Sequence, residues 1–111
     1  MDENQLSQIL KATSDGTRRQ LLTTLVQQGP TRVTDLASYF DMSLNGISKH
    51  IKVLEGAGLV TRRLVGREHL IEANLEPVKA IEAWFATLKS IWELRLDGLD
   101  SLLSKKDQTN E

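Results

Sequence analysis

The stretch from Asp41 to Val60, DMSLNGISKHIKVLEGAGLV, restricts the fold more than any other part of the chain. Asp41 to Ser43 reads as a tight turn, and Ser43 is a suitable N-cap, its hydroxyl able to accept an orphan amide of the following helix. At about 100° per residue, Leu44, Ile47, Ile51 and Leu54 share one narrow apolar stripe. Asn45, Ser48, Lys49 and Lys52 share the opposite one. Gly46 lies beside that polar face, allowing close backbone approach, and no acid precedes Glu55. A merely solvated face usually mixes both charge signs. This one combines an amide and a hydroxyl, which can read base edges, with lysines that can neutralise phosphates.

The flanks fit the same reading. Val33, Leu36, Ala37 and Phe40 recur at helical spacing, so a short helix should lead into the turn and then into the 44–54 helix, the order of a helix-turn-helix. Glu55-Gly56-Ala57-Gly58 should end that helix, glycine tolerating the left-handed conformation that C-caps use. Leu59 to Leu64 and Glu68 to Ala73 then read as two strands joined at Val65-Gly66-Arg67. Arg62, Arg63 and Arg67 sit in or beside this hairpin, where a wing would touch a nucleic-acid backbone, and with Ser43, Asn45, Gly46, Ser48, Lys49 and Lys52 they make up the expected DNA-binding residues.

The run Ser48-Lys49-His50-Ile51-Lys52-Val53-Leu54-Glu55-Gly56-Ala57-Gly58-Leu59-Val60 resembles the Ser-x-His-Leu-x-x-Leu-x-x-Ala-Gly-Leu-Val signature of the ArsR family of winged-helix transcriptional regulators. Its one departure is Ile51 for leucine. Leu10 to Arg19 is similar to the family's Leu-x-Asp-x-Thr-Arg entry into its second helix, and the likeness extends over roughly nine-tenths of the chain. The resemblance implies a homodimeric repressor of transcription that binds double-stranded DNA at an inverted repeat.

The 111 residues suffice for one domain, small enough for a second copy to complete its core. With no cysteine, disulfides, thiol switches and thiolate metal sites are excluded. The opening MDENQLSQ is acidic and polar rather than a signal peptide, and no apolar run approaches membrane-spanning length, so the cytoplasm is the expected compartment. A net charge of −1 argues against nucleic acid only until its distribution is considered. Between Ser43 and Arg67 five bases (Lys49, Lys52, Arg62, Arg63, Arg67) face the single acid Glu55.

Leu6, Ile9 and Leu10 give Asn4 to Ala12 the pattern of a first amphipathic helix. Ser14 or Asp15 should cap a second, about Gly16 to Gln28, that buries Leu21, Leu22, Leu25 and Val26 and stops at Gly29-Pro30. Arg18 and Arg19, in its first turn, are read as scaffold rather than phosphate contacts. After Asn74-Leu75-Glu76-Pro77, the apolar residues Val78, Ile81, Phe85, Leu88, Trp92, Leu99 and Leu102 follow steps of three and four, with Trp84, Ile91, Leu94, Leu96 and Leu103 widening the stripe. About 28 residues make a helix of roughly 40 Å, longer than so small a domain can cover. The expected dimer interface therefore comprises Leu6, Ile9, Leu10, Ile81, Trp84, Phe85, Leu88, Ile91, Trp92 and Leu99. Gly98 leaves the end of this helix open. The expected fold is mainly α with a small β-hairpin wing, in the order α-α-α-α-β-β-α and dimeric. Residues 1–104 form the domain and 105–111 a polar tail.

Many relatives in the family sense metals. One family site places two cysteines beside Asp-Leu in the third helix, but the matching positions are Arg32 and Thr34, before Asp35-Leu36. Another uses histidines and carboxylates of the last helix, which here has carboxylates but no histidine. No metal and no cofactor are expected. His50 belongs to the family signature and is read as structural; His69 falls in a wing strand. A catalytic reading has no support, because side chains at i and i+2, such as Ser48 and His50, point apart on a helix, and there is no phosphate loop or nucleophile elbow. The rival from another class is a winged helix that binds protein and no DNA. It would need apolar anchors or acids on the exposed face of the 44–54 helix. The ending Trp92-Glu93-Leu94-Arg95-Leu96-Asp97-Gly98-Leu99 is similar to that of a family branch without metal sites, often encoded beside small START-like ligand-binding proteins. The effector stays open.

Overall fold

The computed structural model describes residues 3–109. The elements are α1 (Glu3–Thr13), α2 (Gly16–Gln28), β1 (Thr31–Arg32), α3 (Val33–Tyr39), α4 (Leu44–Gly56), β2 (Val60–Val65), β3 (Glu68–Ala73) and α5 (Val78–Thr109). They form two units, one ending at Ala80 and the other beginning at Ile81.

The first unit is built on one apolar core. Ile9 and Ala12 of α1, Leu21 and Leu25 of α2, Leu36 of α3 and Ile47, Ile51 and Leu54 of α4 all lose their solvent there. Leu59, Val60 and Ile71 close it from the sheet side. Each aliphatic side chain buried in this way contributes about 1.5–3 kcal/mol. The stripe of α4 is shorter than expected, because Leu44 stays 53% exposed at its first turn. Val26, expected inside, is also mostly exposed. Ile9, expected at a dimer interface, is completely buried within its own chain and has no surface to offer. On the same helix Leu6 is half-buried and Leu10 exposed.

The sheet has three strands in the order β1-β3-β2, all antiparallel. Thr31 and Arg32, pairing with Ile71 and Leu70, form a strand too short to show a period of two in sequence. Gly29, with φ 82°, swings the chain from α2 onto this edge, and the buried Thr31 hydroxyl donates to the Gly29 carbonyl at 2.9 Å. The wing turn is tighter than expected. Val65 pairs with Glu68, leaving Gly66 and Arg67 as a two-residue loop, with Gly66 at φ 63°.

The second unit is helical. α5 passes through Gly98 and on to Thr109, so the expected boundary at residue 104 falls inside the helix. No proline follows to stop it, and a single glycine costs only about 1 kcal/mol. Ile81 is half-buried, whereas Trp84, Phe85, Leu88, Ile91, Trp92, Leu94 and Leu99 are exposed. The rings of Trp84 and Phe85 meet at 4.8 Å and an interplanar angle of 55°. No helix among the described residues is long and apolar enough to cross a membrane.

Candidate nucleic-acid interface

The turn ahead of α4 is held by backbone and cap together. Asp41 adopts a left-handed φ of 50°, and the amides of Phe40, Asp41 and Met42 return to the carbonyls of Leu36, Ser38 and Ala37. Ser43 Oγ accepts the Gly46 amide at 3.0 Å, the expected N-cap. Gly46 has an internal reason for being glycine. A Cβ there would lie 3.2 Å from Met42 Cε and 3.3 Å from Ser43 Oγ, inside the capping turn.

α4 then presents its polar face. Asn45, Lys49 and Lys52 are exposed and Ser48 is half-buried. The helix ends at Ala57, followed by Gly58 at φ 76°, whose amide donates to the Glu55 carbonyl at 2.9 Å. Asn74 fastens the far end of the wing to this cap: its side-chain amide donates to the Gly58 carbonyl at 3.1 Å and its backbone amide to the Leu59 carbonyl at 2.7 Å.

The wing arginines divide. On β2, Arg62 alternates with Val60 on the inner side and Arg63 points the other way. Arg62 Nη2 meets Glu55 Oε1 at 2.8 Å, with Nε within 3.4 Å of both carboxylate oxygens. Arg62, expected among the DNA contacts, uses its guanidinium here to join the end of α4 to the first wing strand. Arg63 and Arg67 are exposed. Among the described residues, neither they nor Lys49 and Lys52 hold a side-chain hydrogen bond or ion pair. These four cations are free to meet an external anion.

Between α4 and the wing runs a cleft lined by Thr34, Leu44, Asn45, Ser48, Arg67 and His69, among others. Its acid, Glu68, is paired from β1. Arg32 Nη1 bonds Glu68 Oε1 at 2.9 Å, while Nε and Nη2 bond the two oxygens of Asp35 at 2.9 and 3.4 Å. The Asp35 and then the Glu68 carboxylate raise the Arg32 pKa above its ordinary value. A fixed guanidinium therefore occupies the position matching one cysteine of the family's third-helix metal site. Thr34 and His69 were not singled out as interface residues from sequence, because only the antiparallel return of β3 brings residue 69 opposite α4.

His50 lies on the other side of α4, where its Nδ1 is 3.4 Å from Arg18 Nη1 and 3.9 Å from Asp15 Oδ2. Asp15 is the N-cap of α2, accepting the Arg18 amide at 3.1 Å, and that hydrogen bond holds its carboxyl below the usual carboxylate range. Arg18 and Arg19 are scaffold, as expected: their guanidiniums bond the carbonyls of Lys11, Ala12 and Thr13 at the end of α1.

Comparison with known proteins agrees with this geometry. A family model described as a helix-turn-helix domain matches residues 13–63. The arsenical resistance operon repressor of Bacillus subtilis is 32% identical over 74 residues, covering 67% of this chain and 70% of the repressor. The crystal structure of an ArsR family transcriptional regulator superposes with a TM-score of 0.77 at 39% identity, over 84% of this chain and 95% of that one. The homodimeric winged helix-turn-helix DNA-binding domain of a possible ArsR-family regulator from Mycobacterium bovis matches at 26% identity and a TM-score of 0.61. It covers 84% of this chain and 82% of that one. With its three-stranded winged sheet, its capped second helix of the helix-turn-helix and these likenesses, the chain belongs to the ArsR family of winged helix-turn-helix transcriptional regulators.

Proposed function

We propose that this regulator is a repressor that binds an inverted-repeat operator as a homodimer, with α4 in the major groove and the wing on the flanking backbone. The observation that carries the reading is the set of uncompensated cations, Lys49, Lys52, Arg63 and Arg67, around the exposed Asn45 and half-buried Ser48. Groups with both hydrogen-bonding directions suit base edges, and free cations suit phosphates. Arg62 supports the site from within and is left out of the contact set. The dimer is proposed to form through α5 together with Leu6 and Leu10 of α1. Two copies would then present their α4 helices about one DNA turn apart, roughly 34 Å.

The test is fluorescence anisotropy with the DNA upstream of the protein's own gene against a scrambled duplex, at two salt concentrations. Preferential binding that weakens steeply with salt is expected, since each neutralised phosphate releases a counterion. No binding to either duplex at low salt would favour a winged helix that recognises protein instead.

A further inference from the structure

The end of α1 is more completely tied than a helix terminus requires. The last four carbonyls of a helix have no partner within it. In α1 the last three are met by side chains from beyond the helix: Lys11 by Ser14 Oγ at 2.7 Å, Ala12 by Arg18 Nε at 2.7 Å and Thr13 by Arg19 Nη1 at 2.8 Å, while the Thr13 hydroxyl is shared between the carbonyls of Ile9 at 3.0 Å and Leu10 at 3.2 Å. Arg18 does more than cap. Its Nη2 also reaches the Lys11 carbonyl at 3.1 Å, and its Nη1 reaches across to His50 Nδ1 on α4 at 3.4 Å. A guanidinium only donates, so in this contact the acceptor is the ring nitrogen. Asp15 completes the junction, capping α2 beneath the same pair.

This junction adds something the core lacks. Ile9 and Ala12 bury α1 against its neighbours, but apolar contact is non-directional and tolerates rolling of one helix on another. A planar fork bonded at once to two carbonyls of one helix and a ring nitrogen of another is directional. Lysine, with a single flexible ammonium, could not make all three bonds in fixed geometry.

We infer that Arg18 and His50 are positioning residues that fix the angle of α4 relative to α1, so that the separation of the two recognition helices, and hence the half-site spacing the dimer accepts, is set at this junction. The inference rests on the proposed dimer, in which α1 is part of the interface. Neither residue touches DNA in this scheme. Their effect appears in which spacing is bound, whereas the contacts of α4 decide which bases are read.

The experiment uses the full chain and duplexes selected by the wild type from a random-sequence library. From the selected site a series is made with the half-sites one base pair closer, unchanged and one base pair farther apart. Affinities are measured by anisotropy for the wild type, Arg18→Met, Arg18→Lys, His50→Leu and His50→Asn, with dimer content followed by sedimentation and folding by thermal melts. The expected result is a flattened profile for Arg18→Met, Arg18→Lys and His50→Leu. Affinity for the selected spacing falls about tenfold, as when a hydrogen bond to a charged group is lost, while the shifted spacings change little. His50→Asn, which can place an acceptor near the position of Nδ1, should recover part of the preference. Should Arg18→Met fail to fold, His50→Leu carries the same test. A wild-type profile in the folded variants, or an equal loss at all three spacings, overturns the inference and leaves the function standing. A wild type indifferent to spacing overturns both the inference and the inverted-repeat reading.

Discussion

Helices α4 and α5 carry apolar stripes of the same period, yet the two end in opposite surroundings. Ile47, Ile51 and Leu54 have no exposed surface, whereas Trp92 is 61% and Leu94 69% exposed. Helix α1 repeats the contrast within three turns, with Ile9 wholly buried and Leu10 open to solvent. An amphipathic period reports that a face seeks burial; it does not report what will cover it. The first unit covers most of its own stripes. The stripe of α5 stays exposed from Trp84 to Leu103, an extent far beyond the scattered apolar residues normal for a monomer surface.

The strongest way to break this contrast is to mutate both stripes and ask whether the loss depends on protein concentration. Ile51→Ala opens a cavity in a core completed by one chain and should cost about 2–5 kcal/mol, a large part of the stability of so small a domain. Chemical denaturation at two protein concentrations should show the same loss at each. Leu88→Glu on α5 should instead weaken self-association by about 2 kcal/mol, on the order of thirtyfold in dissociation constant, read by sedimentation equilibrium. A Leu88→Glu chain that associates as the wild type does would remove α5 from the interface.

A smaller effect separates groups on the reading face. Asn45→Ala should cost on the order of 1–3 kcal/mol for the selected site and relax sequence preference. Ser43→Ala should cost about 1 kcal/mol of folding stability, because its hydroxyl is engaged with the Gly46 amide. Melting curves and binding to matched and mismatched duplexes distinguish the two. Unchanged specificity for Asn45→Ala would mean that α4 enters the groove on another face.

Much of the head was legible because its signals are local. Ser43, the αL position at Gly58 and the alternation of β2 and β3 each follow from a few adjacent residues, and the structure keeps all three. What escaped depends on contacts distant in sequence. β1 exists because Ile71 and Leu70 lie beside it, and the Arg32–Glu68 bridge spans 36 positions. Leu44 belongs to the apolar stripe by angle alone, but at the first turn of α4 it borders the cleft rather than the core. The internal partners of Arg62 and Gly46 escaped for a related reason. Charge and size were visible, while the partners that engage them, Glu55 for one and the capping turn for the other, appear only when the helix end and the turn are folded.

Arg62 and Arg63 bring the difference between engaged and available groups down to neighbouring residues. Both are arginines on β2, one half-buried against Glu55 and one exposed on the opposite face. The Glu55 pair keeps about a third of its surface in water, so solvent screening limits it to roughly 0.5 kcal/mol of stability. Arg62→Gln should therefore lower the melting temperature slightly and leave the salt dependence of DNA binding nearly intact. Arg63→Gln should do the reverse, leaving stability alone, weakening all sequences alike and reducing the salt slope by about one counterion. A double variant should show the two losses simply adding, since the side chains point to opposite faces and share no partner. If Arg62→Gln instead lowered the salt slope as much as Arg63→Gln, the ion pair with Glu55 would have to open on DNA, and the inner arginine would return to the contact set.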